Sequence, residues 1–121
     1  MRSLISMTFA LSFAATAASA GEVDVVGARA VKDGAGSWRF DVTLKHGDEG
    51  WDHYADKWEV LSPDGTVLGT RVLYHPHVEE QPFTRSLSGV EVPADLKQVV
   101  IRGHDKVHGT GGVEMTVDLP R

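Results

Sequence analysis

From Trp38 to Lys45 the chain alternates apolar and polar residues without a break: Trp38, Phe40, Val42 and Leu44 against Arg39, Asp41, Thr43 and Lys45. Successive side chains of a strand point to opposite faces, so this stretch makes a strand with one dry face and one wet face. A helix would spread the same residues around its whole circumference. Such a strand must cover a second apolar surface, and the rest of the chain has to supply it.

Six further short runs do so. They are predicted at Glu22 to Val31, with Val23 and Val25 inward, and at Asp56 to Leu61, with Trp58 and Val60 inward. Others follow at Thr66 to Tyr74, at Phe83 to Val92 and at Leu96 to Gly103, the last with Val99 and Ile101 inward. The seventh, Val113 to Leu119, turns Val113, Met115, Val117 and Leu119 inward. Asp33-Gly34-Ala35-Gly36, Ser62-Pro63-Asp64-Gly65 and Pro93-Ala94-Asp95 are turn sequences, in which Pro presets φ and Gly accepts positive φ. Nothing after residue 20 repeats with a helical period. The expected fold is therefore all-β: a seven-stranded immunoglobulin- or fibronectin III-like antiparallel sandwich, with Trp58 where such folds bury a Trp. A small closed β-barrel is the alternative.

Residues 1–20 read as a secretory signal peptide, with Arg2, an uncharged apolar run from Leu4 to Ala18, and the small-x-small site Ala18-Ser19-Ala20 before Gly21. The run is short of the roughly 20 apolar residues of a spanning helix. An uncleaved anchor is the alternative, and without a Cys after the small residues no lipid attachment is expected. Residues 21–121 then form the β-sandwich domain, periplasmic or secreted, with no membrane span after cleavage. The chain has no cysteine, so packing alone holds this domain together. Its 12 Lys and Arg are scattered and the net charge is −5, which argues against nucleic acid.

The six histidines carry the functional reading. When consecutive strands run antiparallel, connections 2–3, 4–5 and 6–7 share one pole of a sandwich. His46 and His53 fall in or beside the first of these connections, His75 and His77 in the second, His104 and His108 in the third. Imidazole is a common ligand for zinc, copper and nickel. His75-Pro76-His77 aims two rings the same way, and Gly109, Gly111 and Gly112 let the backbone approach beside His108. The candidate metal ligands are His53, His75, His77, His104 and His108, with His46 assigned to closing the second strand. Asp52, Asp56, Glu79, Glu80 and Asp105 are carboxylates at hand to ligate or to orient the rings. Without thiolates the ion would be Cu(II), Zn(II) or Ni(II). No spacing matches a closed zinc finger or H-E-x-x-H. The plainer reading is a set of exposed loop histidines.

Trp51, Tyr54, Tyr74 and Phe83 flank the same connections and suit a second function, a non-catalytic module recognising an envelope protein. No enzyme is expected. Ser86 and Ser88 lack a nucleophile-elbow setting and Ser62 is at the far pole. Asp52-His53 and His104-Asp105 point oppositely on extended chain.

The stretch His75 to Leu87, with Gly50-Trp51-Asp52-His53-Tyr54-Ala55-Asp56 before it and His108-Gly109-Thr110-Gly111-Gly112 after it, resembles a family of small exported bacterial proteins without an assigned function. The architecture is also similar to periplasmic copper-binding sandwiches of the CopC type, which implies a copper-handling role. The chain departs from those in having no Met-rich loop and no histidine at position 21.

Overall fold

The computed structural model describes residues 21–121, so the signal-peptide expectation over residues 1–20 lies outside the described residues. Seven strands follow one another: β1 (Asp24–Lys32), β2 (Ser37–Lys45), β3 (Ala55–Leu61), β4 (Val67–Val72), β5 (Phe83–Glu91), β6 (Gln98–Asp105) and β7 (Met115–Asp118). They form a three-stranded sheet, β1-β2-β5, and a four-stranded sheet, β4-β3-β6-β7. Every pairing is antiparallel. In constant-type immunoglobulin domains the fourth strand joins the sheet of the first two. Here β4 pairs with β3 instead, so the fold is a sandwich of the fibronectin III kind. Among the described residues no helix is long and apolar enough to cross a membrane.

The alternation in β2 does what the sequence requires. Trp38, Phe40, Val42 and Leu44 are fully buried and meet Trp58, Val60, Val99 and Ile101 from the other sheet. On the wet face Arg39 pairs with Asp41, and Thr43 shares a hydrogen bond with Thr84 of β5. Burial of these aromatic and β-branched side chains is the main favourable term available to a domain without disulfides.

One inward assignment needs correcting. Val113 is 57% exposed and precedes β7. Its backbone is engaged elsewhere: its carbonyl accepts from Val25 N–H at 2.8 Å, and its N–H donates to Asp24 Oδ1 at 2.8 Å. This ties the glycine-rich connection before β7 to the segment that enters β1. Gly112 lies so close to the Val23 carbonyl that a Cβ there would collide with it, so only glycine fits.

Phe40→Ala is expected to cost about 3–5 kcal/mol of stability, whereas Arg39→Ala next to it stays within about 1 kcal/mol. Urea unfolding followed by tryptophan fluorescence checks both.

Candidate metal centre at the histidine pole

Antiparallel alternation brings the end of β2, the connection from β4 to β5, and the end of β6 to one tip of the sandwich. It brings the entry to β1 there as well, so Gly21 shares the tip with the histidines. Five of the imidazoles gather at this tip in two groups. His46 and His53 have ring centroids 4.9 Å apart, His53 and His108 are 5.0 Å apart, and His75 and His77 are 4.5 Å apart.

Two buried carboxylates organise this tip. Asp48 Oδ1 accepts from Ala55 N–H at 3.1 Å, and Oδ2 accepts from His77 N–H at 2.7 Å, so Asp48 ties the second and fourth connections together. Asp105 Oδ1 accepts from Val107 and His108 N–H and folds the sixth connection back on itself. His46 bridges the two. Its Nδ1 meets Asp48 Oδ1, and its Nε2 is 3.2 Å from Asp105 Oδ2. All three side chains are wholly buried. Gln81 adds a further tie, accepting from His46 N–H at 3.0 Å and donating to the His77 carbonyl at 2.8 Å.

His53 completes a convergent set of ligand atoms. Its Nε2 is 3.2 Å from the Gly21 carbonyl oxygen and 3.6 Å from Asp105 Oδ2, and its Nδ1 is 2.9 Å from Glu49 Oε1. The same Gly21 oxygen is 3.2 Å from His46 Nε2. His46, His53 and Asp105 each offer a ligand atom within 4.8 Å of the others.

Both nitrogens of both rings therefore face oxygens. A neutral imidazole has one N–H and one bare lone pair, so in either tautomer one nitrogen would point its lone pair at an oxygen. The arrangement calls for added positive charge between Nε2 and the oxygens, either a second proton on each ring or one metal ion. Zinc bonds to N and O of about 2.0–2.2 Å place tetrahedral ligand atoms about 3.3–3.6 Å apart. Four of the six separations in this set, 3.2, 3.2, 3.2 and 3.6 Å, lie close to that spacing, and the three side-chain ligand atoms are all within 4.8 Å of one another. Asp48 and Glu49 on the Nδ1 atoms are the orienting carboxylates such a site uses.

Proton affinities follow the same geometry. Burial pushes His46 down, but the hydrogen bond and charge of Asp48, the Gly21 carbonyl and Asp105 outweigh it and hold His46 above its ordinary value. The Glu49 hydrogen bond raises His53 against a smaller effect of burial. Burial would raise Asp48 and Asp105. The His46 hydrogen bond with backbone N–H donors on Asp48, and the His108 and Val107 N–H groups on Asp105, bring both below the usual carboxylate range. His77 is lowered by burial, with Arg85 and His75 adding to the effect.

The predicted ligands divide among three places. His53 is in the convergent set, and His108 packs its ring against His53. His75 and His77 form a separate pair. His77 is buried flat against Phe83 at 4.0 Å, and neither of its ring nitrogens has a hydrogen-bond partner among the described residues. Its Nδ1 is 4.0 Å from Asp48 Oδ2, so the ring faces the cluster across that carboxylate. His104 belongs to β6 rather than to a loop. It points away from Asp105, as strand neighbours must, and pairs with Asp56 at 2.6 Å. Of the glycines before β7, Gly111 and Gly112 let the N-terminal segment approach at Glu22 and Val23, whereas Gly109 takes up a positive φ of 70°. Arg85, which bears on His77, pairs with Glu80 at 3.2 Å. Of the aromatics, Tyr54 and Phe83 are buried, with Tyr54 under the Lys106 ammonium, so Trp51 and Tyr74 alone form the exposed rim.

Among known proteins the chain is similar to one from Halomicrobium mukohataei called "Putative lipoprotein", with 46% identity over 97 residues. The match takes in 80% of this chain, which spans about half (47%) of that protein's length. No family model and no solved structure matches the chain.

In the metal-free protein, stability should peak near pH 6.5. His77, lowered in the fold, contributes fully above its unfolded value of about 6.5 and loses that contribution as pH falls. His46 and His53, raised in the fold, contribute fully below about 6.5 and lose it as pH climbs through their folded values. Melting temperatures from pH 5 to 9 should trace this peak, and His46→Gln should flatten its alkaline side.

Proposed function

We propose that the protein is an exported envelope module that binds one divalent transition metal at the histidine pole. The ligands are His46 Nε2, His53 Nε2, Asp105 Oδ2 and the Gly21 carbonyl oxygen, with Asp48 and Glu49 orienting the rings. The observation that carries this reading is the surplus of oxygens around two converging imidazole nitrogens. The two imidazole nitrogens with carboxylate and carbonyl oxygens suit Zn(II). Cu(II), which prefers a tetragonal arrangement, remains the alternative ion and the one implied by the likeness to CopC-type sandwiches. His108 stands next to the set as a reserve ligand, and His75 with His77 as a second, weaker pair. An envelope location rests on the signal-peptide pattern and on the lipoprotein name of the relative. A binding role rather than a catalytic one fits the serines, since the Ser62 and Ser86 hydroxyls donate to Asp64 and Asp41 rather than to an imidazole.

Zn(II) titrated into the protein at pH 7.5 is expected to bind at one saturable site. At a hundredfold excess over Kd it should stabilise the fold by about 2.7 kcal/mol, reversibly with a chelator. His53→Ala should abolish binding and Glu49→Gln should weaken it about 10–100-fold. Calorimetry with Zn(II) and Cu(II) decides the matter, and an absence of saturable binding by either would end the proposal.

A second reading rests on Trp51 and Tyr74, which are 62% and 74% exposed at the same tip as Val78 and Val107. Large apolar side chains held outward on three converging connections suit a protein partner in the envelope. Trp51→Ser with Tyr74→Ser should leave the melting temperature unchanged and abolish crosslinking to such a partner. An unaltered crosslinking pattern would count against this reading.

A further inference from the structure

The Gly21 carbonyl oxygen is the one main-chain ligand in the set, and it belongs to the residue that follows Ala18-Ser19-Ala20. In the unprocessed chain, Gly21 nitrogen is a peptide N–H, a hydrogen-bond donor with no lone pair free for a metal. Once the Ala20–Gly21 bond is hydrolysed it becomes a primary amine. An amine and the carbonyl oxygen of the same residue close a five-membered ring on one ion, a favourable chelate.

We propose that cleavage before Gly21 creates an additional metal ligand, the α-amino nitrogen of Gly21, which chelates together with its own carbonyl oxygen beside His46, His53 and Asp105. The inference rests on the metal-binding reading above and adds to it a coupling between export and metal loading. The precursor has four ligand atoms at this tip and the processed protein has five.

Three observations hold the new terminus in place. The Gly21 oxygen is 3.2 Å from each of the two Nε2 atoms. The His108 ring lies beside the residue, 2.6 Å from where a Cβ on Gly21 would stand, and the Gly21 φ of +88° is a backbone conformation that favours glycine. The following residues are clamped by the connection before β7, through Val25 N–H to the Val113 carbonyl at 2.8 Å. The terminus is thus delivered to the imidazoles by a fixed segment, which removes most of the ordering cost from coordination.

The test compares two forms of the protein. One starts at Gly21, produced by export and verified by intact mass. The other is the same chain acetylated on that amine, which keeps the carbonyl oxygen and removes the amine lone pair. Chelator competition with Zn(II) should give at least tenfold tighter binding for the free amine. Cu(II) electron paramagnetic resonance should show one more coordinated nitrogen in that form. Equal urea midpoints without metal would show that the difference is a lost ligand, not a lost fold. Equal affinity and identical spectra would overturn the amine ligand while leaving the His46, His53 and Asp105 site intact. Exported protein that begins at a residue other than Gly21 would overturn it as well. If neither form bound either metal saturably, this inference and the metal reading would fall together.

Discussion

A single buried imidazole holds the functional tip of this sandwich together. His46 stands between Asp48 and Asp105, and each carboxylate organises a different part of the chain. Through Asp48 the ring is coupled to the start of β3 and to the connection before β5, and through Asp105 to the turn after β6. Removing one partner of a buried charge pair leaves the other uncompensated, typically at several kcal/mol. The order of the whole tip therefore depends on a charge balance among three side chains that have no contact with water. The proposed ion would enter a site whose ligands are already fixed, with the proton on His46 Nε2 as its natural competitor.

The rest of the architecture explains why these groups meet. Strict antiparallel order makes every second connection return to the same end, and β1 begins at that end too. Residues more than 80 positions apart, Gly21 and His108, thereby become neighbours without any long excursion of the chain. The opposite tip consists of tight turns such as the one closed by Ser62 and Thr66, where Asp64 is occupied with local hydrogen bonds. The two ends of the domain thus have different tasks, one compact and local, the other assembled from four distant pieces.

Much of the fold was legible because period-two alternation is a strong signal. β2 reads off its burial pattern directly, and all seven predicted strands exist. Val113 was misplaced because alternation cannot show that its backbone bonds to Asp24 and Val25 rather than to a ladder partner. The gathering of the histidines followed from strand parity, but the ranking among them did not. His46 looked like an end-of-strand residue and proves to be the centre of the network. Asp48, in a stretch of four residues without an apolar side chain between His46 and Trp51, gives no sign in the sequence of being one of the most buried charges in the domain. Burial of a charge depends on what folds over it, here His77 and Gln81 from a connection some 30 residues on. His104 carried the opposite error, since an imidazole one residue before Asp105 faces outward once the strand runs to that point.

An odd number of strands also separates the way in from the way out. The segment feeding β1 emerges among the imidazoles, whereas the segment leaving β7 emerges at the far tip, where Arg121 lies over Trp38 and donates to the Leu96 and Pro93 carbonyls. A tether attached beyond Arg121 would hold the domain upright with its histidines directed outward. The same tether attached ahead of Gly21 would turn those groups toward the anchoring surface, so the choice of end decides which face the surroundings can reach.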